Sequence, residues 1–395
     1  MVNFAQDLPP ECTGIIWALL EPKELWASVQ VCKAWAESAT PVLYHDIEIR
    51  DREKLHSLID TTKRRPDLAA FTRCLCMYKD KYQHDYRASA RYNPWLILLA
   101  QLPNLHTLEL QGSWKELEKL LNNGKLKDTH PFNQLRGLTL NYIIEFTGKI
   151  SPLWEQPMIE SLKLPIWVFW DKWKETISSA WPIAQRLEKL DLYTDIDDGA
   201  ITRILEYSPR LRSLKCWITC NTSDDRYRYQ QDFGKMGRGL YHVAETLEDI
   251  EFHVTAYAGN NSLPQFSAED DLVDGHLAPL TGFNRLRSLT IPVAGLLGWT
   301  PSQSPELTEL LPPSLRHLNL RDDMCRQPRY KWTDKDIAGK LVRFLAAVGR
   351  GEYNLQSLEI LQNESWTDWE ELVKEQLQEM AAKAGVRCII NKPFE

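Results

Sequence analysis

Cysteines are the residues of this chain best suited to metal or nucleophile chemistry, and two pairs stand close together, Cys74-x-Cys76 and Cys216-x-x-x-Cys220. A structural zinc site needs spacing close to Cys-x-x-Cys and a second paired set of ligands, and neither pair has one. If these segments are strands, Cys74 and Cys76 share one face and Cys216 points into the core. We therefore expect packed or solvated thiols here, and no metal site.

Two other phrases have the composition of ligand sites, but each lacks a required part. Segment 195–199, Asp-Ile-Asp-Asp-Gly, begins like a calcium loop, yet Tyr207 lies in the region where the bidentate glutamate is needed. Gly234, Gly237 and Gly239 form a glycine-rich phrase that no strand precedes in the manner of a phosphate-binding loop. Neither Gly-x-Ser-x-Gly nor His-Glu-x-x-His occurs. The sequence therefore predicts a protein that is not an enzyme and holds no cofactor.

The elements that position all other residues are predicted by a recurring phrase of the form Leu-x-x-Leu-x-Leu. Its last three residues alternate apolar and polar, which is the period of a strand with one buried face. Helix-like stretches lie between the copies, and in the last of them apolar residues recur every three or four positions. They are Trp114–Leu121, Phe169–Ser178, Ala200–Tyr207 and Asp334–Ala347. The copies begin at Thr72, Leu105, Leu135, Ile159, Leu187, Leu211, Leu247, Leu286, Leu315 and Leu355.

A short strand followed by a helix, repeated roughly every 24 to 40 residues, is typical of a leucine-rich-repeat solenoid. The alternative is a doubly wound α/β domain, but its buried strands would read as near-continuous Val/Ile runs. We predict an α/β fold in which residues 46–395 form a horseshoe of about nine or ten irregular repeats. Segments Trp369–Lys383 and Val386–Ile390 are expected to supply a last helix and strand that cap the stack.

The N-terminal segment that precedes the repeats reads as a set of short helices, in the first of which Ile16, Leu19 and Leu20 are expected to share one face. Pro9 and Pro10 suit a helix start, and Pro22 suits the start of the next helix. About forty residues of this kind can bury only a small core by themselves. One interpretation is therefore a helical cap that seals the end of the solenoid.

The order of motifs in that segment also resembles an F-box. Leu-Pro-x-Glu begins at Leu8, a run of aliphatic residues follows, Pro-x-Glu-Leu begins at Pro22, and Val-Cys-Lys-x-Trp begins at Val31. The match needs no gap from Leu8 to Trp35. Segment Leu43–Ile49 then looks like the first strand that follows the F-box in many fungal relatives. An F-box followed by leucine-rich repeats is a recurrent family architecture, so the resemblance covers essentially the whole chain.

This resemblance implies a function and partners. Such proteins are substrate receptors of Skp–cullin–F-box ubiquitin ligases, and the F-box, residues 5–45 here, is a three-helix module that binds the Skp adaptor and through it a cullin. Cys12 and Thr13 depart from the large aliphatic residues usual in the family, a loss of on the order of 1 kcal/mol of contact each. By resemblance, the adaptor-facing residues are Leu8, Pro9, Ile16, Leu20, Leu25, Val31, Cys32, Lys33 and Trp35.

The repeats also predict where a protein target, of unknown identity, would bind. Because the leucines point inward, the residues between and after them face the opposite, concave side. Three rings should stand there on successive rungs about 4.8 Å apart. The predicted target-binding residues are Tyr193, Trp217, His253, Lys189, Asp191 and Lys215. In the alternative, the connection Tyr257–Pro279 covers Trp217, which then serves only the solenoid.

Two further long connections, Asn221–Met236 and Asp322–Trp332, are expected to be loops beside this face. Long loops of this kind are either functional or variable insertions, and the sequence leaves both open. A second function class is open as well. A leucine-rich scaffold could bind the adaptor or other partners without any ubiquitin transfer.

Composition and charge exclude other classes of protein. The 43% hydrophobic and 26% charged residues are typical of a soluble folded chain, and the net charge of −7 comes without a basic cluster that would bind nucleic acid or an anionic membrane. No apolar run is long enough to span a bilayer. Eight scattered cysteines favour a reduced, intracellular protein, cytoplasmic or nuclear.

Overall fold

The computed structural model describes residues 9–78, 94–111, 134–141, 144–145, 151–154, 156–167, 182–194, 198–221, 231–257, 273–325, 327, 329–362 and 369–391. Within them, short parallel strands alternate with helices, so the predicted α/β class is confirmed. The chain divides into two compact units, the first containing Met1–Tyr142 and Gln156–Leu162, the second Ile143–Glu155 and Lys163–Glu395. The N-terminal helices therefore belong to one unit with the first strands.

The first unit begins with three helices and continues as a parallel sheet. Its elements are α1 Pro10–Ala18, α2 Pro22–Val29, α3 Lys33–Leu43, β1 Asp46–Ile49, α4 Arg52–Arg64, α5 Pro66–Ala69, β2 Cys74–Met77, α6 Pro94–Gln101, β3 Thr107–Leu110 and β4 Gly137–Leu140. Strands β1 to β4 are neighbours in sequence order. Prolines occupy the first turns of α1 and α2, as predicted, because a missing N–H is harmless there.

The second unit repeats the strand–helix alternation, and one of its strands begins with two residues, Ser161 and Leu162, that are counted in the first unit. Its elements are β5 Ile144–Glu145, α7 Ser151–Trp154, β6 Ser161–Trp167, β7 Lys189–Thr194, α8 Asp198–Glu206, β8 Ser213–Asn221, β9 Gln231–Asp232, α9 Phe233–Leu240, β10 Asp249–Tyr257, β11 Val273–Asp274, β12 Ser288–Pro292, α10 Val293–Leu297, α11 Leu307–Leu310, β13 His317–Arg321, α12 Asp334–Gly349, β14 Ser357–Leu361, α13 Glu371–Lys383 and β15 Arg387–Asn391. The strand order is β6-β7-β8-β10-β12-β13-β14-β15, with β5 on β6 and a separate β9–β11 pair.

One backbone contact recurs at the start of the strands. The carbonyl of Arg73 accepts the N–H groups of His106, at 2.8 Å, and Thr107, at 2.9 Å. In the same way, one carbonyl accepts two successive N–H groups at seven places further along the main sheet. The N–H groups of residues 136 and 137 donate to the carbonyl of 106, those of 160 and 161 to 136, 212 and 213 to 188, 248 and 249 to 212, 287 and 288 to 248, 316 and 317 to 287, and 356 and 357 to 316. Equivalent residues of successive phrases therefore stand side by side.

The leucines of the phrase form the core, as predicted. Leu187, Leu190 and Leu192 of one copy are fully buried, and burial alternates residue by residue along strands such as β12 and β13. Alternate side chains of a strand point to opposite faces, so burying the leucines leaves the intervening residues on the other face. That second face carries the candidate target-binding residues.

Several predicted elements are confirmed. The stretch expected from Ala200 is α8, and the stretch expected from Asp334 is α12, whose capping box at Thr333 and Asp336 satisfies its first N–H groups. The closing helix and strand are α13 and β15. The helix-like stretches predicted at 114–121 and 169–178 lie outside the described residues.

The prediction of a loop over Asn221–Met236 is wrong in its last part, because α9 begins at Phe233. Asp232 caps this helix, since its Oδ1 accepts the Lys235 N–H at 3.1 Å. The glycines that weaken helix propensity here permit close packing. A Cβ on Gly239 would lie 2.6 Å from Thr202 Oγ1 and 3.0 Å from Thr202 Cα in α8. Tertiary contact therefore overrides propensity.

Replacing Gly239 with Ala is expected to lower the free energy of unfolding by about 1–3 kcal/mol, because the new methyl group must push two helices apart. Gly339→Ala is the matched control, since its Cβ would meet only the Arg343 Nη1 atom, at 3.8 Å. That variant should be neutral or more stable by up to about 1 kcal/mol. Denaturant titration measures both, and equal stability of the two variants would contradict the packing argument.

Candidate functional site

The three N-terminal helices enclose a small core. Trp17, Leu25 and Ala39 are buried in it, and Trp17 packs edge-on against Trp35 with ring centroids 5.2 Å apart. The Trp17 indole N–H donates to Ser38 Oγ at 3.1 Å, so its one polar atom is satisfied. Each helix thus contributes at least one side chain to the interior.

Around this core, large apolar side chains face outward. Of the nine large hydrophobic residues exposed in the described part of the chain, five lie within helices α1 and α2 and the turn after them. They are Ile15 (64% exposed), Ile16 (41%), Leu19 (80%), Trp26 (56%) and Val31 (61%). Isolated apolar residues are ordinary on a protein surface, but this concentration over seventeen positions is typical of a binding surface. We call these five residues the apolar surface.

The adaptor-facing residues predicted by resemblance divide into two sets. Pro9, Ile16, Val31 and Lys33 are exposed, and Lys33 Nζ lies 3.8 Å from a carboxylate oxygen of Glu37. The other set faces inward: Leu25 is buried, Leu20 and Trp35 pack against the core, and Cys32 is half-buried. Leu8 lies outside the described residues. The inward set holds the helices in place, and the exposed set is available to a partner.

Sequence reasoning placed Ile16, Leu19 and Leu20 on one helical face, and the structure corrects this. Trp17 and Leu20, three residues apart, face the core, whereas Ile15, Ile16 and Leu19 face outward. The bulky indole sets the rotation of the helix because it buries more apolar area than an isoleucine does. A preference for Trp over Ile in the core would have identified Ile15 and Leu19 as exposed.

The second candidate surface is a stack of three rings on strands β7, β8 and β10. The register pairs Tyr193 with Trp217 and Trp217 with His253, so the predicted placement on successive rungs is confirmed. The Tyr193 and Trp217 rings are nearly parallel, with centroids 5.4 Å apart, and the Trp217 and His253 rings are parallel at 3.7 Å. Both faces of the Trp217 indole are covered by rings. Only its edge remains for a partner.

A row of alternating charges runs beside the aromatic stack. Lys163 lies with Nζ 5.3 Å from the centre of the Tyr193 ring, and Asp191 faces Lys215 across the strands. The Lys215 ammonium lies 2.6 Å from Glu251 Oε2. Positive and negative side chains thus alternate from strand to strand and neutralise one another. Of the three lysines beside the rings, Lys215 is thus engaged by Glu251, whereas Lys189 is exposed and Lys163 lies against the Tyr193 ring.

Glu251 connects the charges to the rings. The Nε2 atom of His253 lies 2.5 Å from Glu251 Oε1, and this hydrogen bond, followed by the ion pair with Lys215, lowers the pKa of Glu251 to about 2. The hydrogen bond to Glu251 also raises the pKa of Lys215, whereas burial raises the pKa of Asp191. These contacts fix the carboxylate, and through it the ring that supports Trp217.

The predicted target-binding residues therefore have different exposures. Tyr193, Trp217, Asp191 and Lys215 are half-buried, whereas His253 is buried. Its Nδ1 atom has no hydrogen-bond partner among the described residues. His253 therefore supports the Trp217 ring from the neighbouring strand and offers little contact surface of its own. In the alternative interpretation the connection Tyr257–Pro279 covers Trp217; residues 258–272 of that connection lie outside the described part.

One group of potential metal ligands lies in the first unit. His45, Asp46 and Cys74 each bring a ligand atom within 4.8 Å of the others. Sequence reasoning considered Cys74 only with Cys76 and missed the other two. Aligning the strand that contains Ile47 with the strand that contains Leu75 would have placed Asp46 opposite Cys74.

Comparison with known proteins adds no assignment. No known family model matches this chain, and no curated protein is significantly similar to it. None of the described helices has both the length and the apolar composition needed to cross a membrane. The function must therefore be inferred from the surfaces themselves.

The Glu251 contacts predict a pH-dependent contribution to stability. Glu251→Gln should lower the free energy of unfolding at pH 7 by about 1–3 kcal/mol, because it removes the charged acceptor. Since the folded-state pKa lies below the ordinary value, this contribution is complete above about pH 4.5 and disappears as the pH falls towards 2. Denaturant titrations of wild type and variant should therefore converge on acidification.

Glu359→Gln is the matched control, because Glu359 occupies the same row and accepts a hydrogen bond from the Asn391 amide at 3.0 Å. An amide oxygen can still accept that bond. The control should stay close to wild type at every pH. A Glu251→Gln difference that persists unchanged to pH 3 would rule out the ionised carboxylate as its source.

Proposed function

We propose that this chain is the substrate-recognition subunit of a Skp–cullin–F-box ubiquitin ligase. Helices α1 to α3 would be the F-box, and the strand–helix array would be a leucine-rich-repeat solenoid that holds a protein target. The observation that carries the proposal is the apolar surface. Five large apolar side chains remain exposed on helices whose motif order resembles an F-box, and they need a partner to cover them.

The distribution of buried and exposed apolar side chains in the three helices supports an adaptor-binding role over a simple cap. A cap that sealed a solenoid would bury its large apolar side chains against the neighbouring strands. Leu19 and Val31 instead remain more than half exposed, while Trp17 and Leu25 suffice to hold the helices together. Burying an aliphatic side chain against a partner contributes about 1.5–3 kcal/mol. A surface of five such residues is adequate for a specific complex.

The backbone of the array supports the repeat assignment. The doubly accepting carbonyl recurs at equivalent positions of successive phrases, and the leucines beside it are buried in each. This is the behaviour of a repeat in which each unit is completed by its neighbours. We infer a horseshoe whose concave side is the face that carries Tyr193 and Trp217.

The chemistry of ubiquitin transfer would then belong to the partners, and this chain would supply proximity and orientation. The cysteine environments agree with this division. Burial raises the pKa of the thiols of Cys74 and Cys388 to about 11 and raises the pKa of Cys216 as well. Such thiols are protonated at neutral pH and are poor nucleophiles.

The target would bind at the stack. Rings held on neighbouring strands offer rigid contact area at low entropic cost, and Tyr and Trp are enriched among interface hot spots. The neutralised charge row beside them makes the surface insensitive to the sign of the target's charge, so recognition would depend mainly on shape and on the edge of Trp217. Lys163, close to the Tyr193 ring, and the exposed Lys189 add positive charge beside the rings.

Adaptor binding is tested by the double variant Ile16→Ala, Val31→Ala. If both residues are hot spots, the affinity for a purified Skp-family adaptor should fall by about 2 kcal/mol or more, roughly thirtyfold, in a calorimetric titration. The melting temperature should hardly change because both side chains are exposed. Leu372→Ala is the control, since Leu372 is 62% exposed on α13, outside the three helices.

Undiminished adaptor affinity in the double variant would remove the basis of the proposal. If the adaptor binds but neither cullin nor ubiquitin conjugates copurify with the complex, the chain is a scaffold that binds the adaptor without transfer. Copurification from one preparation of the complex therefore distinguishes a ligase receptor from a scaffold.

Target binding is tested by Trp217→Ala, which removes the middle ring. Loss of two ring–ring contacts should lower the free energy of unfolding by about 1–3 kcal/mol. Proteins captured by wild type under proteasome inhibition should be lost. Leu192→Val is the matched control, because it destabilises the adjacent core by about 1 kcal/mol without changing the ring face. Equal capture by both variants would place the target elsewhere.

A further inference from the structure

The backbone fixes three metal-ligating residues beside one another at the junction of the helical segment and the sheet. His45 precedes β1, Asp46 is its first residue, and Cys74 is the first residue of β2, directly opposite Asp46 in the parallel register. The carbonyl of His45 accepts the N–H groups of Arg73 and Cys74, both at 3.0 Å. Strand pairing therefore holds the three side chains together, independently of any ligand.

The side-chain atoms are close to the spacing of a metal site. His45 Nδ1 lies 2.8 Å from Asp46 Oδ1, and these atoms and the Cys74 sulfur all lie within 4.8 Å of one another. Ligand atoms around a tetrahedral zinc ion lie about 3.5 Å apart, given Zn–N and Zn–O distances near 2.1 Å and Zn–S near 2.3 Å. Side-chain rotations that change these separations by about 1 Å would complete the arrangement.

We propose that His45, Asp46 and Cys74 bind one zinc ion, with water as the fourth ligand. The site is open to solvent, since His45 and Asp46 are exposed and Cys74 is half-buried. An imidazole, a thiolate and a carboxylate together favour Zn²⁺ over the oxygen-seeking Ca²⁺ and Mg²⁺. Softness of the donors, rather than negative charge, would select the ion.

The same geometry argues against a nucleophilic role for Cys74. Burial, followed by its hydrogen bond with Asp46, raises the pKa of Cys74 to about 11. A catalytic cysteine instead needs a lowered pKa and a base that accepts its proton. On binding zinc, the thiol releases its proton to the buffer and the sulfur bonds the metal.

The ion would join the end of the three-helix segment to the second strand of the first unit. Ligands that bind only the folded state stabilise it by mass action. Asp46 and Cys74 are brought together only by strand pairing, so zinc should raise the unfolding temperature of the chain. This inference does not depend on the proposed function, because it concerns neither the apolar surface nor the ring stack.

Cobalt(II) is the probe, added to the reduced full-length chain after removal of metal by chelation. We expect one equivalent to produce the absorption bands of tetrahedral cobalt with a thiolate ligand, and zinc to displace it. Cys74→Ser should abolish the thiolate band, and His45→Ala should weaken binding by about tenfold or more. The rise in unfolding temperature on adding zinc should disappear in both variants.

Cys76→Ser is the matched control, because Cys76 lies two residues along the same face of β2 and is not part of the ligand group. It should keep the thiolate band and the zinc-dependent stabilisation. The proposal is overturned if wild type shows no thiolate band, if Cys74→Ser retains it, or if Cys76→Ser loses it equally. The last two outcomes would assign the metal to other cysteines of the chain.

Discussion

The double hydrogen bond to one carbonyl, which recurs at the start of most strands of the main sheet, is the contact on which the rest of the structure depends. In each case the accepting residue is the second residue of its phrase, and the two donors are the second and third residues of a later phrase. Neighbouring strands are thereby locked in parallel register. A slip by one residue would move every leucine to solvent, so the hydrophobic core and the backbone contact enforce the same alignment.

That alignment creates rows of like positions, and the properties of the second face follow from what the rows contain. Tyr193, Trp217 and His253 stack because they occupy one position in three successive phrases. Lys215 and Glu251 pair for the same reason, two positions earlier on the same face. The rings are therefore held rigidly and the charges are largely neutralised before any partner arrives. A preorganised surface loses little conformational entropy on binding.

The three N-terminal helices are held together differently, by a few side chains rather than by a repeated contact. Their core is small, and the indole of Trp17 decides which way α1 faces. Ile15 and Leu19 are left in solvent, where they neither stabilise the helices nor favour solubility. Exposed apolar side chains are retained at a cost in solubility when they serve an interface. The N-terminal helices thus leave large apolar side chains exposed, whereas the strands bury their leucines against neighbouring strands.

The sequence by itself determined the α/β class, the strand positions, the last helix and strand, and the rows that bring the rings together, because each depends on a local period of two or on a repeated phrase. Tertiary structure alone decided that α9 is a helix and that Leu25 is buried in the core of the N-terminal helices. Each of these depends on contacts between residues distant in sequence, such as Gly239 against Thr202, whose packing outweighs local propensity.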